Sequence, residues 1–424
     1  MPEGTRAQGE ALPRLSRRRD CRLCASPELS LALSLTPTPP ANAFVPASET
    51  GKRQETYPLD VFLCRSCGHL QLLDVVDPAL LFENYVYVSG TSQAFVKHFE
   101  AYAGDLLRRF SPRKGSLVLD VGSNDGTLLR FFKEGGMRVL GVDPAREIAA
   151  AATRSGIETL PAFFAQDLAR RLRQSRGSAA LITANNVFAH ADDLRGFVAG
   201  VRELLAPDGV FVFEVSYLAD VVAKTLFDTI YHEHLAYHSV RPLRRFLAEQ
   251  GLELVEALRV APHGGSLRGI AQRLGDAHPV GASVAEAVAL EEGMGLDRME
   301  TFRGFAAKIE ALKARLQTRL RELKARGKRI AGFGAPAKAT TLMHHFGLGR
   351  ETIEFVADDS PLKQGLFTPG THVPVLPPSA IYERRPEVLL ILAWNFAEPI
   401  MARHKAFRES GGSFLVPLPE IQES

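Results

Sequence analysis

The chain has 424 residues, 46% apolar and 23% charged, with a formal net charge of +3. These are the proportions of a soluble globular protein of two or three domains, and the near-balanced charge argues against nucleic acid as a partner. No apolar run reaches the roughly 18–20 residues of a membrane helix, and the first twenty residues hold no apolar stretch for a signal peptide, so a cytoplasmic protein without membrane contact is expected.

Residues 1–19, which include the basic run Arg17–Arg19, are expected to be a disordered, solvated tail. The next segment, 20–80, contains every cysteine of the chain as two C-x2-C pairs, Cys21/Cys24 and Cys64/Cys67, separated by 39 residues. In a reducing compartment such pairs are more often zinc ligands than disulfides, and the interval exceeds the roughly 15–20 residues of common zinc ribbons, so a small subdomain fills it. Four thiolates close the coordination sphere, which makes this zinc structural rather than catalytic. Within the module "TPTPPAN" reads as an extended proline-rich loop. "NYVYVSGTSQAF" then leads to a helix over His98–Phe110.

From residue 115 short apolar runs alternate with helices. "SLVLDVG", "RVLGVDP", "AALITANNVF" and "GVFVFEVSYL" read as strands, with helices over Thr127–Glu134, Ala145–Ser155, Asp167–Gln174 and Leu194–Leu205. This alternation predicts a parallel sheet covered on both faces. Leu296–Arg326 carries apolar residues at 3-and-4 spacing, a helical connector within 276–326. "KRIAGFGAPAKATT", "IEFVADDSP" and "EVLLILAWNF" repeat the strand–turn–helix pattern and predict a smaller Rossmann-like domain over 327–424.

The loop of "LVLDVGSNDGTLLRFF" follows a strand ending near Asp120 and opens a helix. Gly122 permits a turn and close backbone approach, and Asp143 ends the next strand 21 residues later, where a carboxylate can accept from ribose hydroxyls. The loop is neither a full G-x-G-x-x-G nor a P-loop. It looks like the S-adenosylmethionine loop of class I methyltransferases, with Asp120, Gly122, Asn124, Gly126 and Asp143 at the cofactor and Phe163 flanking the adenine. Asn185, Asn186 and His190, in "NNVFAH", end a later strand, where ligands of such sheets bind.

"TIYHEHLAYHS", residues 229–239, holds three histidines, one glutamate and two tyrosines. It is not H-E-x-x-H, because Ala236 stands where the second ligand belongs, and proton transfer fits better than metal binding. His234 and His238, four residues apart, could share a helix face. Later, "HGGSLR" offers backbone approach at Gly264 and Gly265, with Ser266 and Arg268 for a substrate hydroxyl or phosphate. Lys338 follows a glycine turn at a helix start, where anions are favoured.

Taken together, the cysteine pairs, "YVYVSGTS", "DVGSNDGT", "NNVFAH", "TIYHEHLAYHS", "HGGSLR", "GFGAPAKATTLMHHFG" and "DDSPLKQGLFTPGTHVPV" resemble the C-3'-methyltransferases of nucleotide-linked deoxysugars. The resemblance runs from Cys21 to Pro419. It implies an α/β chain: a small N-terminal zinc module (20–80), a central class I methyltransferase domain of Rossmann-like fold (81–275), and the helical connector and C-terminal domain above. It implies S-adenosylmethionine and structural zinc as cofactors and a nucleotide-linked 4-keto-deoxysugar, with dTDP as the expected carrier, as substrate. The second histidine of Y-H-E-H, His234, is then the base that removes the C-3 proton and leaves an enolate. Glu233 would orient or tune a neighbour, and Tyr231 and His190 would bind the oxyanion. Tyr87 would close over the sugar, with Tyr85 as the competing choice. Lys338 would meet the diphosphate. An O- or N-methyltransferase keeps the same cofactor loop, whereas a non-catalytic zinc and nucleotide module leaves the tyrosine, glutamate and histidine groups unexplained. An NAD-dependent epimerase lacks its Tyr-x-x-x-Lys pair. The sequence leaves the oligomeric state open, a monomer being sufficient.

Overall fold

A computed structural model describes residues 14–83, 85, 88–91 and 93–424. The N-terminal module contains β1 (Leu15–Arg17), β2 (Leu29–Thr38), β3 (Tyr57–Cys64), β4 (Leu70–Leu72) and β5 (Asp74–Val76). Strands β2, β3 and β4 form an antiparallel ladder, and β1 pairs with β5. Residues 14–19 are therefore not a solvated tail. Arg17 bonds Asp74 at 2.6 Å and Arg18 bonds Asp192, 174 residues away, a partner that local pattern does not reveal. Nor is "TPTPPAN" all loop, because β2 runs through Thr38. It is the edge strand of its sheet, where Pro37 removes no ladder bond.

A short helix, α1 (Pro78–Phe82), and a longer one, α2 (Gln93–Phe110), lead into the central domain. Its strands are β6 (Leu117–Val121), β7 (Arg138–Val142), β8 (Thr159–Leu160), β9 (Ala179–Asn185) and β10 (Leu205–Ser216). After β11 (Ala236–Tyr237) come β12 (Leu252–Val260) and β13 (Ser266–Arg273). The seven-stranded order is β12-β13-β10-β9-β6-β7-β8, parallel except for β13, which runs antiparallel to both β10 and β12. All five residues of β6 are buried, as a strand covered on both faces requires. Strand order reverses between β6 and β9, so a crevice opens beyond their carboxyl ends.

Strand β11 belongs elsewhere. It pairs antiparallel with β4, so a strand of the histidine block completes the sheet of the N-terminal module. That block is not helical at His234 and His238: it turns at 231–234 and then extends.

The connector is two helices, α3 (Ala282–Met294) and α4 (Met299–Ala325), the first unforeseen. The second buries Phe302, Phe305, Ile309, Leu312, Leu316, Leu320 and Leu323, the face set by its 3-and-4 spacing. The C-terminal domain has β14 (Ile330–Phe333), α5 (Ala337–Phe346), β15 (Val356–Ala357), β16 (Val375–Leu376), β17 (Val388–Ile391), β18 (Ser413–Val416) and β19 (Gln422–Glu423). Its order is β16-β15-β14-β17-β18-β19, parallel except for β19. Among the described residues no helix is long and apolar enough to cross a membrane.

One carboxylate ties the connector to the central domain. Glu291, on α3, accepts from the Val240 and Arg241 amides at 2.5 and 2.9 Å and from the Tyr217 hydroxyl at 2.8 Å. The amides are the open N–H groups at the start of helix Val240–Glu249. Glu291→Ala should cost about 2–3 kcal/mol, since it leaves buried donors unpaired. Denaturant unfolding checks this, and an unchanged midpoint would contradict it.

Candidate active site

The two C-x2-C turns bring the four sulfurs of Cys21, Cys24, Cys64 and Cys67 within 4.8 Å of one another. Cys21–Cys67 is 3.6 Å and Cys24–Cys64 is 3.5 Å, near the about 3.8 Å expected for thiolates in tetrahedral array around zinc at about 2.3 Å. Hydrogen bonding from Cys67 holds the Cys21 thiol below its ordinary value. The donor set fits a closed zinc site with no position left for substrate.

The glycine loop sits at the reversal of strand order. Gly122 has φ +69, and a Cβ there would lie 2.1 Å from Val187 Cγ2. Gly126, at φ +77, starts the helix Thr127–Glu134. Asp143 accepts from the Asn124 and Ala145 amides at 2.8 and 2.9 Å, so its carboxylate braces the loop from below. Asp120 accepts from the Thr183 hydroxyl at 2.6 Å, and burial pushes its carboxyl up to about 7. Asn185 buries both polar side-chain atoms without a hydrogen-bond partner. Asn186, at φ 58, donates its amide to the Glu214 carbonyl. A backbone cradle without room for Cβ, two acids and an orphaned amide fit a polar cofactor such as S-adenosylmethionine. Phe163, expected to flank the adenine, is half exposed, and the partly buried Phe164 packs against Phe197. The segment before α2 lies on the loop: the Ser89 amide donates to Asn124 Oδ1 at 2.9 Å and the Gly90 amide to Asp125.

The three histidines of the block do different work. His232 contacts the Tyr57 carbonyl at 3.2 Å, and His238 stacks on Phe188 with ring centroids 5.0 Å apart. Both are buried where the N-terminal module meets the central domain. His234 stands apart. Its Nδ1 lies 2.7 Å from the Thr229 carbonyl, which can only accept, so Nδ1 carries the hydrogen and Nε2 the basic lone pair. Burial lowers its pKa to about 4, which leaves the ring neutral at pH 7. Tyr231 packs against it at 4.0 Å and His190 stacks at 5.2 Å. His190 is held neutral by burial, its Nε2 lacks a partner, and Phe82 stacks on its ring at 5.4 Å. Glu233 turns the other way. It accepts from Tyr85 Oη at 3.0 Å and Asn42 Nδ2 at 2.8 Å, and burial pushes it up to about 7. Tyr87 lies outside the described residues.

Other expected ligands stand one layer back. Arg268 bonds Glu214 through Nε and Nη2 at 2.7 and 2.6 Å, over the Tyr102 ring. Glu214 in turn holds His98 Nε2 at 2.8 Å, and His98 lines the cavity. Ser266 is buried, with its hydroxyl on the Pro262 carbonyl, which locks the turn rather than faces a ligand. Gly265, at φ +144, lets that turn pass Asp220, which a Cβ would meet at 2.4 Å. Lys338 donates to Asn395 at 2.6 Å beneath the Trp394 ring, and burial lowers it to about 8. A cavity of about 600 Å³ runs between Phe95, His98 and His263 on one side and Trp394, Asn395 and Phe396 on the other. His98, Glu214, His263 and Asn42 were not foreseen as site residues. His263 stands directly before the glycines of "HGGSLR", a usable signal, and its φ of 58 marks strain.

Comparisons with known proteins agree with this layout. Family models match residues 21–82 ("Putative zinc binding domain"), 95–257 ("Methyltransferase domain") and 261–419 ("C-methyltransferase C-terminal domain"). The C-methyltransferase NovU of Streptomyces niveus is 36% identical over 401 residues, 95% of this chain and 96% of its own. Among solved structures, the magnesium protoporphyrin IX methyltransferase of Synechocystis PCC 6803 with bound SAM is 15% identical, covering 42% of this chain and 79% of its own at TM-score 0.32. The 1,6-didemethyltoxoflavin-N1-methyltransferase of Burkholderia thailandensis is 23% identical, covering 43% and 80% at TM-score 0.32.

The cysteine geometry predicts one zinc per chain. Cys64→Ser, or chelation, should release it and melt the N-terminal module, read by metal analysis and circular dichroism. A metal-free chain with an intact fold would contradict the assignment.

Proposed function

The chain belongs to the C-methyltransferase family, and from that premise we propose that it methylates C-3 of a nucleotide-linked 4-keto-deoxysugar, with His234 as the base. The observation that carries this reading is the His234 Nδ1–Thr229 carbonyl contact, which presents Nε2 as the acceptor. A carbon nucleophile needs an adjacent carbonyl to acidify its proton, and the 4-keto group supplies it.

His234 Nε2 takes the C-3 proton, and electron density moves onto the C-4 oxygen. A neutral, buried imidazole is a weak base on its own. The imidazolium forms beside a new enolate anion, and that pairing favours both charges where water is excluded. Tyr231 and His190 bind the enolate oxygen on this reading, which their packing against His234 supports. The Gly122–Gly126 loop with Asp120, Asp143 and Asn185 would hold S-adenosylmethionine, which would supply an electrophilic methyl group to the carbon nucleophile. Tyr87, with Tyr85 as the competing choice, would close over the sugar; the Tyr85 hydroxyl donates to Glu233. The nucleotide lies in the cavity between His263 and Trp394, whose volume suits a ligand of that size. Lys338 and Arg268 shape its walls through Trp394 and through Glu214 and His98.

Incubation of nucleotide-linked 4-keto sugars with S-adenosylmethionine should give a product with a new methyl on C-3, located by NMR. His234→Asn should lower kcat by about 10²–10⁴-fold while S-adenosylmethionine still binds. A methyl on oxygen or nitrogen, or near-normal turnover of His234→Asn, would contradict the reading.

A further inference from the structure

Glu233 is reached from three parts of the chain. Asn42, from the N-terminal module, donates to Oε1, and Tyr85, from the segment between modules, donates to Oε2. Lys363, from the C-terminal domain, is buried with its ammonium on the Ala335 carbonyl, and its positive charge favours the ionised forms of Glu233 and Asp358. His232 and His234 flank Glu233 in sequence, the first against the Tyr57 carbonyl and the second against the Thr229 carbonyl.

The segment that brings Asn42 is a wedge. The Ala41 carbonyl accepts from Thr340 at 2.9 Å, and Val45 exchanges backbone hydrogen bonds with Phe367 at 3.1 and 2.8 Å. Phe44 between them lines the small gap beside Ala335 and Pro336, and Lys363 Nζ lies 5.5 Å from its ring. That gap has a volume of only about 10 Å³, room for a single water.

The C-terminal turn has the build of the central cofactor loop. Gly334 has φ +85, and Asp358 accepts from the Ala335 and Ser360 amides at 2.6 and 2.8 Å. Asp143 braces the loop of Gly122 in the same way. In the central domain the loop borders the crevice. Here Phe44 covers it, and Lys363 donates to the Ala335 carbonyl at 2.8 Å. The turn thus serves as a mount for a lysine rather than as an open ligand loop.

We propose that Asn42 and Lys363 are positioning residues for methyl transfer, which act through Glu233 by keeping its carboxylate ionised so that it holds the Tyr85 hydroxyl. This rests on the functional reading above and extends it to two residues outside the methyltransferase domain. The chemistry is specific. An ionised carboxylate accepts on both oxygens, from Asn42 Nδ2 and Tyr85 Oη. A protonated one must donate from one oxygen, and the Asn42 Nδ2 group cannot accept. Protonation at Oε2 would therefore leave the Asn42 bond in place and reverse the other, so that the acid donates to Tyr85 Oη and the tyrosine hydrogen turns away from Glu233. Burial favours the neutral acid, and the Lys363 charge with the two hydrogen bonds opposes it.

The test compares full-length, zinc-loaded wild type, Lys363→Met, Lys363→Arg and Asn42→Ala. Loss of the positive charge or of the donor raises the Glu233 pKa, so the acid limb of the kcat–pH profile should move up by about one pH unit in Lys363→Met and in Asn42→Ala. Turnover at pH 7 should fall several-fold, with S-adenosylmethionine affinity within about twofold of wild type. Lys363→Arg keeps the charge and should restore the limb. Folded Lys363→Met with an unmoved limb would overturn the proposal, and if that variant does not fold, Asn42→Ala decides by the same criterion. An infrared carboxyl band, assigned by its loss in Glu233→Gln, reads Glu233 without turnover. An unchanged band midpoint in the variants also overturns the proposal. A shifted band in an enzyme that does not methylate carbon would sustain the Glu233 coupling and reject the sugar reading instead.

Discussion

The backbone of residues 229–238 is fixed from three sides, and the geometry of the site depends on that. The Thr341 hydroxyl of the C-terminal domain donates to the Ile230 carbonyl at 2.7 Å. The Leu235 amide donates to the Ala189 carbonyl of the central domain at 2.9 Å, and the Leu235 carbonyl accepts from Leu72 of the N-terminal module, also at 2.9 Å. Within the segment, Thr229 bonds back to the Leu226 carbonyl, and its own carbonyl fixes the His234 tautomer. On the proposed mechanism His234 must present one nitrogen to a carbon acid, and such a role needs this overdetermination, because a displacement of an ångström costs rate steeply.

The same burial that fixes the groups sets their charges. Each of His190, His234 and His263 is pushed toward the neutral form by removal from water, while Asp120 and Glu233 are raised toward neutrality of pH. Neutral histidines can accept a proton, and acids of raised pKa change charge near pH 7. Groups perturbed in this way mark a candidate site for proton chemistry. The buried zinc module contributes to that environment by position, through Asn42 and through the strand it shares with the histidine block.

Much of this was legible in the sequence where the signal was local. The C-x2-C pairs, the strand–helix alternation and the turn at Gly122 each reflect short-range constraints of ligand geometry, pleat and φ. Contacts between distant segments were not. Nothing near Ala236 announces that it pairs with Gln71, and nothing near Arg18 announces Asp192. Helix α3 escaped because "ASVAEAVALEEGM" mixes apolar and charged residues without a clear stripe, and its buried residues include the acid Glu291. Arg268 and Ser266 had the right chemistry for a ligand, yet Glu214 and the Pro262 carbonyl claim them. Composition cannot tell a side chain that faces a cavity from one that supports its neighbour.

On the proposed mechanism a carbon acid is deprotonated before a methyl group is transferred. The most direct measurement is hydrogen exchange at C-3 of a nucleotide-linked 4-keto sugar in deuterated water, with enzyme but without S-adenosylmethionine, followed by proton NMR. Wild type should show enzyme-dependent loss of the C-3 proton signal, and His234→Asn should retain it. Methylation of C-3 without any such exchange, or equal exchange in the two proteins, would contradict it.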